Sequence, residues 1–148
     1  MRQFKKSVYI SSLDLLAGHH QIKLTQESKE ITAFTTGDDL HQYKCLSFGL
    51  VNGPSSFIRL VLVVLAGLPW DRAQSYLADI LVAVVSFNDH LKNLEDVFTR
   101  LAKHGLKLKA GKCELFREEV NYLGHVVGRT GIKTLLSNVA AILSFPEP

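Results

Sequence analysis

Hydrophobic and polar residues alternate in several short stretches and recur at helical spacing in others, which predicts a mixture of strands and helices. Residues 7–15 are rich in β-branched and aromatic side chains and predict a first strand, broken at Ala17-Gly18. Residues 31–35 predict a second strand, which the turn signal Gly37-Asp38-Asp39 should return through residues 42–48. Further strands are predicted in residues 76–87, 106–108, 115–116 and 120–127, with a turn at residues 128–131 and a final helix in residues 136–143.

Capping signals mark two longer helices. Asn52-Gly53-Pro54 predicts a helix start, because proline at the first helical position has no N–H to lose. Residues 57–68 are apolar nearly all round, which suits a buried helix or a strand, and the pattern alone leaves both open. The clearest helix follows Asn88-Asp89 and ends at Gly105. Its predicted core face consists of Leu91, Leu94, Phe98 and Leu101. Strands and helices interleave without regular β–α–β alternation, which favours an α+β fold.

Composition places limits on the class of protein. The chain has 148 residues, enough for a single domain over residues 1–148 with its own core. Its 47% hydrophobic content and mean hydropathy of +0.12 predict apolar surface that packs against segments outside the chain. The net charge of +3 is compatible with a nucleic-acid partner but does not indicate one. The polar, basic start is not a signal peptide, and the apolar run at residues 60–68 is too short for a bilayer of ~30 Å. A soluble intracellular protein without a membrane segment is expected.

Two acidic residues stand alone in apolar, strand-like surroundings. Asp79 lies within Tyr76-Leu77-Ala78-Asp79-Ile80-Leu81-Val82, and Asp14 lies within Ser12-Leu13-Asp14-Leu15. An unpaired charge buried in such a strand would cost several kcal/mol. The two residues are therefore either exposed turn or capping acids or ligands of a divalent metal, and the residues alone leave both readings open.

Other polar residues give weaker signals. Adjacent His19 and His20 would point to opposite faces of a strand, and Cys45 and Cys113 lack zinc-ligand spacing, so zinc is not expected. A basic stretch either follows a phosphate backbone or forms a solvated face, and the sequence does not separate the two. It consists of Arg100, Lys103, Lys107, Lys109 and Lys112.

Short motifs follow one another along most of the chain. They are Ser12-Leu13-Asp14-Leu15, Gly18-His19-His20-Gln21-Ile22, Thr32-Ala33-Phe34, Ser47-Phe48-Gly49-Leu50, Asn52-Gly53-Pro54 with Phe57, Tyr76-Leu77-Ala78-Asp79-Ile80-Leu81-Val82, Gly105-Leu106-Lys107-Leu108, Lys112-Cys113, and Tyr122-Leu123-Gly124-His125 leading to Gly131-Ile132. In order and spacing they resemble the reverse transcriptase of gypsy-type LTR retrotransposons, from about residue 11 to residue 148. The ordered set is far more specific than any single motif.

The resemblance implies the palm of a right-hand polymerase, an α+β subdomain with an antiparallel sheet packed on helices. In that family three aspartates hold two magnesium (or manganese) ions, which activate the primer 3′-hydroxyl and stabilise the leaving pyrophosphate. Asp14 corresponds to the first aspartate and Asp79 to the last, whereas Ala78 occupies the position of the middle one. Because alanine offers no oxygen ligand, the resemblance implies a loss of activity on the order of a thousandfold or more.

The resemblance also implies sites for the other substrates, which are an RNA or DNA template with its primer and deoxynucleotides. His19 falls where the family usually has an aromatic residue, commonly tyrosine, against the sugar of the incoming nucleotide. Phe48 and Gly49 match the block beside the nucleotide pocket. The hairpin that holds the primer terminus would consist of Tyr122, Leu123, Gly124 and His125.

Family enzymes carry a fingers region before the first motif and thumb, connection and ribonuclease H segments after the last. The chain is therefore expected to be a palm with truncated fingers and no thumb, cut from a longer polyprotein. Two functional hypotheses follow. The chain is a palm for template-directed DNA synthesis that Ala78 impairs, or it is a non-catalytic remnant that at most binds nucleic acid or a protein partner.

Overall fold

A computed structural model describes residues 7–69 and 73–135 and shows the predicted α+β fold class. The helices are α1 Gln26–Ile31, α2 Gly53–Val64 and α3 Phe87–Lys103, with short 3₁₀ helices at Gly18–Gln21 and Ala110–Lys112. The strands are β1 Tyr9–Asp14, β2 Phe34–Thr35, β3 Leu40–His41, β4 Ala73–Tyr76, β5 Asp79–Val84, β6 Glu114–Arg117, β7 Glu119–Tyr122, β8 His125–Gly128 and β9 Gly131–Thr134. Among the described residues, no helix is long and apolar enough to cross a membrane.

The main sheet has four antiparallel strands in the order β4-β5-β1-β6. The remaining described strands form a two-stranded sheet, β2-β3, and a three-stranded sheet, β7-β8-β9. The central pair runs in register from Tyr9 opposite Val84 to Asp14 opposite Asp79. Asp14 is the last residue of β1 and Asp79 is the first residue of β5, so the two acidic residues lie at the same end of this strand pair.

Both faces of the main sheet are covered. Leu13, Ile80 and Val82 belong to the larger core, which also contains Phe57 of α2 and Val97 of α3. On the opposite face, Ile10, Leu81 and Ala83 form a second core with Val120, Tyr122 and Val127 of the three-stranded sheet. Burial on both faces explains why residues 80–84 are continuously apolar instead of alternating.

Helix α2 resolves the ambiguity of residues 57–68. It begins after Asn52, with Pro54 in the first turn as predicted, and it buries Phe57, Val61 and Val64. Gly18 lies directly against Phe57, because a Cβ built on that glycine would be 2.5 Å from the ring. Ala17-Gly18, where the first strand was predicted to stop, is thus a point of close packing against α2.

The predicted second hairpin is wrong in its details. Residues 26–31 form helix α1, which the sequence reading missed although Thr25 caps it, with the Ser28 N–H donating to Thr25 Oγ1 at 3.3 Å. The strand is limited to Phe34–Thr35, and its partner is Leu40–His41 rather than residues 42–48. Thr25 caps a helix that ends at Ile31, and the predicted strand is correspondingly shorter.

The core face predicted for α3 is also partly wrong. Leu94 and Leu101 are buried, but Leu91 is 53% exposed and Phe98 is 38% exposed. The helix begins at Phe87 after its N-cap Ser86, so the predicted start at Asn88-Asp89 is wrong by about one turn at most, and both residues lie inside the helix. The helix ends at Lys103, and Gly105 follows with a φ of +70°, which fits the predicted C-terminus. The face against the sheet is rotated by one position and consists of His90, Asn93, Leu94, Val97 and Leu101.

The C-terminal strands differ from the prediction in one way that matters for the site. Residues 120–127 form a hairpin of β7 and β8, in which Tyr122 pairs with His125 across a two-residue turn. Leu123 and Gly124 both have positive φ, 52° and 74°, as the tight turns favoured in hairpins require. The predicted turn at residues 128–131 leads into β9, which the sequence reading did not include. The helix predicted in residues 136–143 lies outside the described residues.

Candidate active site

Asp14 and Asp79 face each other across the β1–β5 pair. The Leu15 N–H donates to the Ala78 carbonyl at 2.9 Å, so the next pair, Asp14 and Asp79, occupies a non-hydrogen-bonded position. At such positions of an antiparallel ladder the side chains of opposing residues come closest. The structure therefore brings the two predicted carboxylates together at one end of the sheet.

The two aspartates line a groove of about 290 Å³. Its other lining residues are Ser12, Gly111, Lys112, Glu114 and Asn121. Lys112 Nζ lies 3.3 Å from Asp14 Oδ2 in an ion pair that is open to solvent mainly on the lysine side. The basic stretch of the sequence is thus not a uniform solvated face, because Lys112 turns into this groove and the Arg100 guanidinium donates to the Ala66 carbonyl.

The Asp79 carboxyl is influenced by burial and by two charged neighbours in the groove, Asp14 and Lys112. Burial raises the pKa of the Asp79 carboxyl, the neighbouring Asp14 carboxylate raises that pKa further, and the Lys112 ammonium opposes both by lowering it. Two carboxylates held together in a partly desolvated place favour any cation that can bridge them. The groove has the electrostatic character of a cation site.

The turn between β4 and β5 consists of Leu77 and Ala78. Leu77 has a φ of 52°, a left-handed conformation that costs a leucine on the order of 1 kcal/mol. Ala78 is partly buried and packs against the larger core. Its methyl group contributes apolar contact to that core, and the groove is lined by other residues.

The predicted nucleotide residues form an aromatic cluster between the first 3₁₀ helix and α2. The His19 ring stacks on Phe57 with centroids 5.0 Å apart and lies 4.9 Å from the ring of Phe48. Phe48 is 70% exposed, whereas Phe57 beneath the histidine is fully buried. Gly49 follows with a φ of +90°, which favours glycine there. His19 and Phe48 thus present rings on a buried support, while His20 meets the edge of Phe48.

The predicted primer hairpin lies against the carboxylates. Tyr122 is buried in the second core, and burial together with the negative charge of Asp79 raises its pKa to about 12. Leu123 packs at the margin of the same core, and Gly124 and His125 complete the turn. The hairpin, the groove and the two aspartates therefore form one continuous region.

This arrangement matches a known family over most of the chain. The family model described as "Reverse transcriptase (RNA-dependent DNA polymerase)" matches residues 1–127. The chain belongs to the reverse transcriptase family.

Curated relatives agree with this assignment. The retrovirus-related Pol polyprotein from transposon 297 of Drosophila melanogaster is 40% identical over 143 residues, which is 97% of this chain and 14% of the relative. The Pol polyproteins from transposons 412 and gypsy of the same species are 36% and 31% identical and overlap 99% and 97% of the chain. The chain thus spans about one-seventh of the length of these polyproteins.

Solved structures support the same fold. The foamy viral protease-reverse transcriptase in complex with double-stranded DNA matches with a TM-score of 0.89 and 31% identity, over 97% of this chain and 25% of that one. The same viral protein in complex with an RNA/DNA hybrid matches with a TM-score of 0.86 and 30% identity, over 99% of this chain and 20% of that one. The α+β reverse transcriptase fold is therefore confirmed.

The candidate metal ligands of the groove are the two facing aspartates. Among the described residues, no group of three or more His, Cys, Asp or Glu side chains is placed to hold a metal ion. Asp14 and Asp79 carry carboxylate oxygens, the kind of ligand that magnesium prefers, and burial, followed by the neighbouring Asp14 carboxylate, raises the pKa of Asp79. The residues present fit a divalent cation in chemical type.

Sequence reasoning missed part of the groove. Ser12, Glu114 and Asn121 line it, and Lys112 was assigned only to a basic stretch. Ser12 could have been found from the alternation of β1, because it lies on the same face as Asp14. Glu114 and Asn121 reach the groove through pairing between distant segments, for which the sequence contains no local signal.

Proposed function

We propose that this domain descends from a catalytic palm that copied an RNA or DNA template by extending a primer with deoxynucleotides. The observation that carries the proposal is the facing pair Asp14 and Asp79 at the end of β1 and β5. Membership in the reverse transcriptase family and the likeness to nucleic-acid-bound viral reverse transcriptases support it. In a longer polyprotein, thumb and ribonuclease H segments would lie elsewhere, and α1 and the β2–β3 hairpin would belong to the fingers.

Asp14 and Asp79 would hold magnesium or manganese. When bound, such ions activate the primer hydroxyl and stabilise the charge of the leaving pyrophosphate. The protein's own contribution is to hold the two carboxylates on opposing strands and to exclude water on the side covered by Tyr122. Ala78 supplies no ligand, so we expect an activity lower by roughly a thousandfold or more than that of a palm with an aspartate there.

The remaining substrates would bind on either side of the groove. His19 and Phe48, with Gly49 beside them, would contact the sugar and base of the incoming nucleotide, because their rings stand on the buried Phe57. The β7–β8 hairpin from Tyr122 to His125 would hold the primer terminus, because Tyr122 is close enough to Asp79 to have its pKa raised by that charge.

A second candidate function is that of a non-catalytic remnant that binds nucleic acid or a protein partner. Two features favour it for this chain: Ala78 lacks a carboxylate, and Lys112 already neutralises Asp14. The two candidate functions differ in one expectation: whether an aspartate placed at position 78 restores DNA synthesis.

Primer extension on an RNA template with magnesium or manganese separates the candidates. Three proteins are compared: the unmodified chain, Ala78→Asp, and Ala78→Asn as a control of similar size without charge. The catalytic proposal expects extension from Ala78→Asp at least a hundredfold above the other two. Activity in the unmodified chain would overturn the remnant alternative. If Ala78→Asp is as inactive as Ala78→Asn, the described residues do not suffice for catalysis and the remnant alternative is favoured.

A further inference from the structure

The groove contains three carboxylates and one ammonium group. Asp14, Asp79 and Glu114 line it together with Lys112, the one cation among its described lining residues. Glu114 pairs with Ser12 across β1 and β6, and it therefore points to the same face as Asp14, two positions further along. With an alanine at position 78 no further carboxylate comes from the turn, so the balance of charge in the groove depends on Lys112.

The backbone delivers Lys112 to this position. The Lys109 N–H donates to the Asp14 carbonyl at 2.8 Å, and the Lys112 N–H donates to the Lys109 carbonyl at 2.9 Å. Cys113 Sγ also donates to the Lys109 carbonyl at 3.4 Å. The 3₁₀ helix is thus anchored to the main chain of the same residue whose carboxylate accepts the lysine. The 3.3 Å ion pair is a consequence of this fold and not a chance meeting of two mobile surface chains.

We propose that the Lys112 ammonium is the resident cation of the groove and competes with divalent cations for Asp14. This inference rests on the proposed function, in which Asp14 and Asp79 are inherited metal positions. It adds that the ammonium of Lys112, a residue of the Lys112-Cys113 motif, competes for one of the two carboxylates that remain once Ala78 supplies none.

A divalent ion can displace the Lys112 ammonium from Asp14, but the nearby ammonium lowers the affinity of that ion. The Lys112 side chain is 59% exposed and that of Asp14 is 23% exposed, so the pair is partly hydrated and individually weak. A divalent ion at Asp14 can therefore displace the ammonium. The displaced ammonium then stays within a few ångströms of the ion, because the backbone of Lys112 is anchored beside Asp14. Repulsion between a unit charge and a divalent ion at ~5 Å, even in bulk water, lowers ion affinity roughly tenfold.

Binding of Mn²⁺ to the full chain, followed by electron paramagnetic resonance, tests this without any need for activity. Lys112→Met removes the charge while keeping a chain of similar length, and Lys112→Gln does the same with a polar end in case the first variant folds poorly. Lys133→Met is the control, because Lys133, whose side chain is 57% exposed, forms an ion pair with Glu119 at 3.1 Å outside the groove lining. Each change is made in the unmodified chain and in Ala78→Asp.

In the Ala78→Asp background, Lys112→Met and Lys112→Gln are expected to raise Mn²⁺ affinity roughly tenfold, while Lys133→Met changes it less than about twofold. Equal affinities for the Lys112 and Lys133 variants would overturn the competition by Lys112 and leave the inherited metal positions standing. Absence of Mn²⁺ binding in Ala78→Asp with either neutral residue at position 112 would overturn the proposed metal positions, and the inference with them.

Discussion

The carbonyl of Ala78 accepts a hydrogen bond from the N–H of Leu15 at 2.9 Å, which ties the β4–β5 turn to the strand that carries Asp14. The backbone at position 78 is thereby held next to the end of β1. The methyl group now found there packs against the larger core. The side chain at this position thus provides apolar contact and offers no oxygen ligand.

Restoring a carboxylate at position 78 should cost stability when no metal is present. In Ala78→Asp the new charge would be partly buried and close to Asp79, so we expect the free energy of unfolding to fall by about 1–3 kcal/mol. Thermal unfolding measured with and without Mn²⁺ checks this. The ion should raise the Tm of Ala78→Asp but not that of Ala78→Asn, and an equal response of both variants would contradict a metal role for position 78.

Ser11 links the main sheet to α3 inside the core. Its Oγ lies 2.6 Å from His90 Nε2 and accepts the Phe116 N–H at 3.1 Å, and both Ser11 and His90 are fully buried. Ser11→Ala leaves both partners without this oxygen, so we expect a loss of about 1–3 kcal/mol in denaturant unfolding. Ser55→Ala serves as the control, because its bond to the Asn52 carbonyl is exposed, and a loss there as large as that of Ser11→Ala would argue against the buried network.

Stability should fall as the solution becomes mildly acidic. Burial lowers the pKa of the His90 imidazole from 6.5, and Nδ1 has no hydrogen-bond partner among the described residues. Above about pH 6.5 both the folded and the unfolded chain hold a neutral His90, and its contribution is complete. Below that pH the unfolded chain takes up a proton first, so stability falls until the folded-state pKa is reached, by at most about 1.4 kcal/mol for each pH unit.

Denaturant unfolding of the unmodified chain and His90→Gln from pH 7.5 to pH 5 measures this effect. The difference between the two curves isolates His90, because Asp79, whose raised pKa acts in the opposite direction, is common to both. Parallel curves would show that His90 titrates alike in the folded and unfolded chains.

Gly18 is required by the close approach of Phe57. A Cβ at this position would lie 2.5 Å from the Phe57 ring, which is fully buried beneath His19 and cannot move outward freely. We expect Gly18→Ala to lower the free energy of unfolding by about 1–3 kcal/mol. Gly111→Ala should be close to neutral, because nothing lies within 4 Å of a Cβ there. Similar losses in both variants would contradict close packing against Phe57 as the cause.

The exposed ring of Phe48 should matter for nucleotide use and not for folding. The ring is 70% exposed beside His19, so Phe48→Ala should leave the Tm nearly unchanged. Stacking of a base or sugar on such a ring is worth about 1–3 kcal/mol, so the KM for deoxynucleotide in an active Ala78→Asp background should rise roughly tenfold. Val51→Ala, at a 95% exposed apolar position nearby in sequence, is the control, and an equal KM for both variants would remove Phe48 from the nucleotide site.

Local chemistry explains which elements could be predicted from sequence. The Asn52-Gly53-Pro54 start of α2 and the Gly105 end of α3 depend on capping and on backbone conformation within a few residues, and both predictions are confirmed. Helix α1 also has a local signal in Thr25, its N-cap, but the sequence analysis did not predict this helix. The rotated face of α3 could not be read locally, because which stripe is buried depends on the sheet it packs against.

From the sequence alone, the α+β class and the family could be predicted, and both are confirmed. The assignment of Asp14 and Asp79 as metal positions and of Ala78 as a lost one stays a prediction. These conclusions depend on residue types and their spacing along the chain. Only the tertiary structure decided that Asp14 and Asp79 face each other, that Tyr122 lies close enough to Asp79 to have its pKa raised, and that Lys112 neutralises Asp14. Each of these contacts joins segments far apart in sequence, and strand register and packing, which no local pattern encodes, place them within range of one another's charge.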